Sequence, residues 1–289
     1  MILGAIEIST RSTRLSVVDV TAGDSFRMLE RVHAVSAKLA NLERLTALLM
    51  AEIEAARELG AERIEVLAEP ELRGTRLVRL LDRVCGGVGA GAIRMPADRE
   101  RAAACFMAAT RPRQDDLDGA IGIALIGESA IGLAVGEPAR QPRWVGTRPV
   151  GAASITDRAR FSDPPRPNQI EAAITGASRK IASLAPPEMD RLMAVSRFSP
   201  VIERLCGNSV THEDARRGLD SILGQTSDDL AAWFGVEPAD SRLLPGTIVG
   251  HAALADVFGL PVKPVGCDSA AGRRWLERVQ ASPAGERAL

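Results

Sequence analysis

The sequence has 289 residues, enough for two ordinary domains and a well-buried core. Apolar residues make up 46% and charged residues 25%, a soluble globular balance, and a formal net charge of −1 gives no pull toward nucleic acid or an anionic membrane surface. Aromatics are 3% with no tyrosine, so nucleic-acid bases have little to stack on and the core falls to Leu, Val, Ile and Ala.

No apolar run approaches the roughly 20 residues of a membrane span. The start, MILGAIEIS, meets Glu7 without a basic segment before it, so no secretory leader is expected and the chain reads as cytoplasmic, binding neither nucleic acid nor membrane. Cys85, Cys105, Cys206 and Cys267 are far apart and read as buried reduced thiols. His33, His212 and His251 are equally scattered, which argues against a zinc site.

Residues 4–20, GAIEISTRSTRLSVVDV, hold two strand-like runs, Ala5 to Ser9 and Thr13 to Val20. The polar turn between them carries Thr10, Arg11 and Ser12, two hydroxyls and a cation that suit a phosphate. Phe26 to Val35 alternates as a third strand. Leu39, Leu42, Leu45, Leu48, Leu49 and Ile53 then recur at helical spacing up to Gly60. AERIEVLAE predicts a strand, ELRGTRLVRLLDRV a helix, GAIRM a short strand and ADRERAAACFMAAT a helix, so the first hundred residues read β-β-β-α-β-α-β-α. CGGVGAG, residues 85–91, follows a helix and precedes a strand, the reverse of a dinucleotide-binding loop, and reads as a connection.

RPRQDDLD, residues 111–118, is the candidate linker, giving domains 1–115 and 116–289. Beyond it the opening pattern returns. GAIGIALIGESAIGLAVGEP predicts a hairpin turning near Gly127, Glu128 and Ser129, RQPRWVGTRPV a third strand, and SDPPRPNQIEAAITGASRKIASL a Pro-led amphipathic helix. THEDARRGLDSIL and TSDDLAAWFG each open on a threonine cap with acids in the first turn. GTIVGHAALADVFG and SAAGRRWLERV predict two more helices, the last of which could pack back on the first domain. The repeat of a β-β-β-α-β-α unit implies mixed sheets flanked by helices.

A duplicated unit with a hairpin turn in each half resembles the actin-like (ribonuclease H-like) ATPase fold, and more narrowly the Ppx/GppA family of exopolyphosphatases and guanosine pentaphosphate phosphohydrolases. AIEISTRSTRL (5–15) keeps the frame of the family's A-x-D-x-G-S-N-S-x-R-L, with Ser12, Arg14 and Leu15 matching. AEPELR (68–73) resembles the strand-to-helix junction that ends in the family's L-R, and ADRERA (97–102) its G-E-E-E-A-R. PVGAASITDRARFSDPPRPNQIEA is similar to L-P-L-G-A-x-R-L-T-E-x-F with its D-P-P-x-P helix entry, the strongest local match. RLLPGTIVGHAALADVFGLPVKPVGCDSAAG resembles the family's closing segment.

The resemblance implies two actin-like domains around a central cleft and phosphoryl chemistry on inorganic polyphosphate or a guanosine polyphosphate. Glu100 would position water, Glu7 would hold Mg²⁺, and Thr10, Arg11, Ser12, Arg14, Arg73, Gly127 and Ser129 would contact phosphate. Simpler readings stand beside these: Arg11 as a solvated turn residue, Glu100 as a helix-entry acid. A homodimer and a pairing with an active paralogue both stay open.

The departures weigh against catalysis. Glu7 replaces an aspartate, which shifts a Mg²⁺ ligand that needs near-ideal geometry. Ser9 and Arg11 replace a glycine and an asparagine. In the second hairpin Ala124 stands at the acidic position, Ile126 and Glu128 replace glycines, and Glu128 brings negative charge to a phosphate position. No glycine lies between Leu192 and Leu205, where the family has a third phosphate loop; Arg197 there is either a substitute cation or a surface residue. The expectation is a weakened or inactive phosphohydrolase, with a non-catalytic ligand sensor or interaction module as the alternative.

Overall fold

The computed structural model describes residues 2–8, 12–19, 27–35, 42–69, 72–90, 92–236 and 238–266, with the backbone alone at 12, 14, 27–35 and 42–44. The chain divides into two compact units, Met1–Ala97 and Asp98–Leu289.

In the first unit β1 (Ile2–Ile8), β2 (Ser12–Asp19), β3 (Arg27–Val35) and β4 (Arg63–Ala68) form one sheet in the order β3-β2-β1-β4. The hairpins are antiparallel, while β4 runs parallel to β1 after the crossover through α1 (Leu42–Glu58). Of the apolar stripe read from the sequence, Leu45, Leu49 and Ile53 are buried on α1 and pack with Ile6, Ile8, Leu15 and Val17, while Leu39 lies outside the described residues. α1 lies so close to β1 that a Cβ on Gly4 would stand 3.0 Å from that of Ala56. α2 (Arg76–Gly87) is capped by Thr75, whose hydroxyl accepts from Val78 N, and it buries Val78, Leu81 and Cys85. The strand expected in GAIRM is only a single bridge between Arg94 and Leu67. Arg94 exchanges two backbone bonds with the β4 edge, and Pro96 then removes a donor from the continuing chain.

The second unit repeats the order and adds a strand. β5 (Ile121–Ile126), β6 (Ile131–Gly136), β7 (Trp144–Arg148), β8 (Arg191–Val195) and β9 (Val262–Val265) pair as β7-β6-β5-β8-β9, with β5, β8 and β9 parallel. α3 (Asp98–Thr110) covers one face of this sheet, and every residue from Ala102 to Thr110 is buried. Its alanines allow a close approach: a Cβ on Gly132 of β6 would lie 2.7 Å from that of Ala102. This packing puts α3 and the 111–118 segment in the second unit, where residues 111–113 form a 3-10 turn.

α4 (Ala152–Arg158), α5 (Pro167–Ala182) and α10 (Leu244–Phe258) pack with β5, β6 and β8 in a single apolar core. With both faces covered, β5 and β6 read as near-continuous apolar runs. α6 (Ser199–Cys206), α7 (His212–Ile222), α8 (Ser227–Phe234) and the short α9 (Pro238–Ser241) complete the unit. Thr211 with Asp214, and Thr226 with Asp229, form the capping boxes that the sequence announces. The aspartate of the D-P-P-x-P entry acts as a structural tie. Asp163 Oδ1 accepts from Ser227 N at 2.7 Å, joining the loop before α5 to the start of α8. The helix expected over 269–279 lies outside the described residues. Burial holds the Cys85 and Cys206 thiols protonated, pushed up to about 11 and about 12.

Two buried titratable groups set the response to pH. Glu52 of α1 is buried, accepts a 2.7 Å bond from the Thr13 hydroxyl, and is pushed up to about 7 by loss of hydration. The folded state therefore binds the proton that the unfolded chain releases between pH 4.5 and 7, and stability falls across that window as pH rises. His251 of α10 is fully buried, donates from Nδ1 to the Thr247 carbonyl, and is pulled down to about 4. Its cost runs the other way, growing as pH falls from 6.5 to 4. Glu52→Gln, which keeps an acceptor for Thr13, is expected to recover roughly 3 kcal/mol at pH 8 relative to pH 4.5. His251→Gln should flatten the acid limb. Denaturant melts of both variants across pH 4–8 check this, and unchanged slopes would refute the assignment.

Candidate functional site

In the first unit, β1 and β4 run parallel and end together, with Glu69 N donating to Ile8 O at 2.9 Å. Glu7 of β1 is half-buried and stands in register with Arg14 of β2. Ser12 opens β2, and Thr10 and Arg11 lie outside the described residues. Arg73 is exposed in the turn after β4, with Nη2 3.4 Å from the Met95 carbonyl. This sheet edge thus collects Glu7, Ser12, Arg14 and Arg73.

The second hairpin turns through Gly127, Glu128, Ser129 and Ala130, closed by Gly127 N donating to Ala130 O at 3.0 Å. The turn's carbonyls receive the amides that open α4. Gly151 N donates to Ser129 O (3.0 Å), Ala152 N to Gly127 O (2.8 Å), and Ala153 N and Ser154 N to Glu128 O (2.8 and 3.2 Å). Ser154 Oγ adds a bond to Ser129 O at 3.1 Å. Helix-start amides need acceptors, and here the hairpin supplies all of them. Gly151 is required at this junction, because a Cβ there would stand 2.5 Å from Ala130 N and from the Glu128 carbonyl. The GAAS segment that resembles the family's motif is therefore the dock for the turn.

The side chain of Glu128 continues from the turn to Arg197, whose Nη1 lies 3.1 Å from Glu128 Oε1. Arg197 Nη2 reaches Asp240 Oδ2 of α9 at 2.9 Å, and the guanidinium sits 5.7 Å from the Phe198 ring centre. The side chains of Glu128, Arg197 and Asp240 are 11%, 18% and 5% exposed, so this is a largely buried clamp. Arg197 follows β8 and Gly127 follows β5, and the parallel pair Leu125–Val195 places both at the carboxyl ends of adjacent strands. That is the edge where open α/β sheets take ligands. Arg197 is thus no surface residue, but a cation placed between two carboxylates. The sequence signal for it is two coincident departures from the resembled family, an acid at Glu128 in the second hairpin and an arginine at Arg197 where a glycine-rich turn is expected. Asp240, within EPADSRLL, carries no such signal.

Glu100 lies in the first turn of α3. The Asp98 carbonyl, 3.6 Å from a Cβ built on Gly132, puts that turn beside the start of β6, at the same edge as the second hairpin. The structure therefore brings Glu100, Gly127, Ser129 and the Glu128–Arg197 pair to one edge of one sheet. Ala124 and Ile126 belong to the apolar core with α5 and α10. Among the described residues no three His, Cys, Asp or Glu side chains converge to hold a metal ion. A single carboxylate such as Glu7 supplies too few of the oxygen ligands that Mg²⁺ takes.

No family model matches the sequence, and no curated relative does. Solved structures do match nearly its whole length. An exopolyphosphatase-like protein aligns with a TM-score of 0.80 at 17% identity, covering 97% of this chain and 99% of that one. An exopolyphosphatase from Cytophaga hutchinsonii aligns at 0.78 and 13%, covering 94% and 96%. The Aquifex aeolicus PPX-GPPA enzyme aligns at 0.76 and 15%, covering 96% and 99%. The chain has the fold of these phosphatases, two actin-like mixed sheets flanked by helices.

Two substitutions test the site's construction. Arg197→Ala leaves Glu128 and Asp240 facing each other without their cation, and should lower stability by about 2–4 kcal/mol in a denaturant melt. Ala124→Asp should be at least as damaging, since it places a carboxylate in the apolar core rather than in a metal site. A neutral Arg197→Ala would mean that the clamp contributes nothing to the fold.

Proposed function

We propose that this chain is a Ppx/GppA-type phosphohydrolase in descent, whose hydrolysis of inorganic polyphosphate or a guanosine polyphosphate is weak or lost. The observation that carries the reading is the Glu128–Arg197 pair. A phosphoryl-transfer site works by presenting positive charge and amide groups to phosphate oxygens. In this chain a carboxylate on the hairpin turn already holds the cation, and it is covalently attached, so it is present at a far higher effective concentration than a dissolved phosphate. The amides at the start of α4 are likewise taken up by the turn's carbonyls. The resemblance along the sequence and the shared fold support the substrate class, and the filled turn supports the loss of rate.

In the residual chemistry Glu100 would orient the attacking water, with Ser129 and the Gly127 backbone near the transferred group. Loss of one acid–base or electrostatic partner typically costs about 10²–10⁴ in rate. Several such losses leave little turnover. A second reading, a non-catalytic phosphate sensor or interaction module on the same frame, is favoured by the same ion pair, because a largely buried clamp stabilises one arrangement of the turn whether or not chemistry follows.

Phosphate release from polyphosphate in the presence of Mg²⁺ is expected near background for the parent protein and unchanged in Glu100→Ala. Robust release that Glu100→Ala abolishes would show an active hydrolase and overturn the loss of function. Robust release that survives Glu100→Ala would remove Glu100 from the mechanism.

A further inference from the structure

α1 carries a carboxyl group on the face it turns to the sheet. Glu52 shares that face with Leu49, Ile53 and Ala56, which pack with Ile6, Ile8, Leu15 and Val17. Glu52 and Thr13 are 4% and 1% exposed, and the Thr13 hydroxyl donates to Glu52 Oε1 at 2.7 Å. Glu52 Oε2 is buried as well, and no described group bonds to it.

Among the described residues no cation faces this carboxyl. β1 turns Ile6 and Ile8 toward α1, and alternation sets Glu7 on the other face. On β2, position 14 falls on the face opposite Thr13, and Asp19 stands six residues along the strand, about 20 Å away at roughly 3.3 Å per residue. In β3, Ala34 is in register with Thr13, His33 and Arg31 fall at positions of the other face, and Glu30 pairs with Val17, about 13 Å from Thr13 along the sheet. β4 turns Val66 and Ala68 to α1, with Arg63 and Glu65 on the far side. From α2, Leu81 and Cys85 enter this core, Arg76, Arg79 and Arg83 are exposed, and Asp82 accepts from Ile93 N. Within α1 the residues one turn away are Leu48, Leu49, Ala55 and Ala56; Glu54, Arg57 and Glu58 are exposed, and Arg44 stands eight residues earlier, about 12 Å along the axis.

A carboxylate held by one hydroxyl and no cation costs more to bury than the carboxylic acid does. That cost pushes the Glu52 carboxyl up to about 7. Thr13 pairs across the first hairpin with Ile8, the last residue of β1, and has Ser12 and Arg14 on either side of it in the chain. A single proton thus sits between α1 and the strand start that carries the polar residues of the first hairpin.

We propose that the Glu52–Thr13 pair is a proton-operated latch that ties α1 to the start of β2. Protonated, Glu52 stays in the core and the corner is closed. Ionised, it draws water, α1 parts locally from β2 around Glu52, and the strand start bearing Ser12 and Arg14 loosens with it. The closed form binds the proton more tightly than the open form, so opening grows as pH rises above about 4.5 and levels off above about 7. The latch stands on this pair alone and holds whether or not the chain hydrolyses anything.

The test is amide hydrogen exchange of the full chain at pH 5, 6.5 and 8, each rate divided by the intrinsic rate at that pH. Protection in residues 13–17 and 49–56 should fall at least about tenfold from pH 5 to pH 8, while the amides of β5 and β8 keep theirs. Glu52→Gln should hold protection constant over the same range. Thr13→Val, which removes the donor and keeps the shape, should move the fall to higher pH, because the hydroxyl bond favours the ionised form. The carbon-13 carboxyl resonance of Glu52 reports the same titration directly. A carboxyl that titrates near 4.5, protection that stays flat in the parent, or a fall that survives Glu52→Gln overturns the latch. A fall shared equally by β4, β5 and β8 marks global unfolding and overturns it as a local device.

Discussion

The hydrogen bonds between the second hairpin turn and the start of α4 set the geometry on which the rest of the second unit depends. A hairpin turn ordinarily leaves its carbonyls to water, and a helix start ordinarily needs a side-chain cap. Here each supplies what the other lacks: Gly127, Glu128 and Ser129 give carbonyls, and residues 151–154 give amides. The exchange requires the absence of a side chain at residue 151, and Gly246 serves the same need one layer further out, where α10 crosses the Ala152 carbonyl. Strand, turn, α4 and α10 are thereby fixed to one another through backbone contacts, and the Glu128 side chain is aimed at the end of β8.

That aim gives the Glu128–Arg197–Asp240 clamp its meaning. Two carboxylates around one guanidinium leave no positive charge there unanswered. A dissolved anion gains little from Arg197 unless Glu128 gives way.

Much of the architecture was legible locally. The threonine-and-acid pairs at 211–214 and 226–229 announce helix starts because the capping bonds form between neighbours in sequence. The repeated hairpin-strand-helix pattern announced the duplication, since alternation and turn residues are short-range signals. The departures at Ala124, Ile126 and Glu128 could be read as damage, but not what had taken the place of the lost parts. Ala124 and Ile126 fall in the core because α5 and α10 cover that face of β5, which no periodicity in β5 reports. β8 and β9 are too short and too buried to alternate. GAIRM has strand composition, yet it forms only a bridge, because pairing depends on what the neighbouring edge offers.

By itself the sequence determined the kind of fold, its internal repeat, and the chemical identity of each group that could meet a phosphate. Those properties follow from hydrophobic spacing, turn residues and caps, which act over a few residues. Only the tertiary structure decided that Arg197 answers Glu128 across 69 residues of chain and that α3 packs on the second sheet. It also decided that the alanine-rich face of that helix meets a glycine in β6. Each depends on which segments are brought together by burial of the core, and that contest is settled by the whole domain at once rather than by any stretch of it.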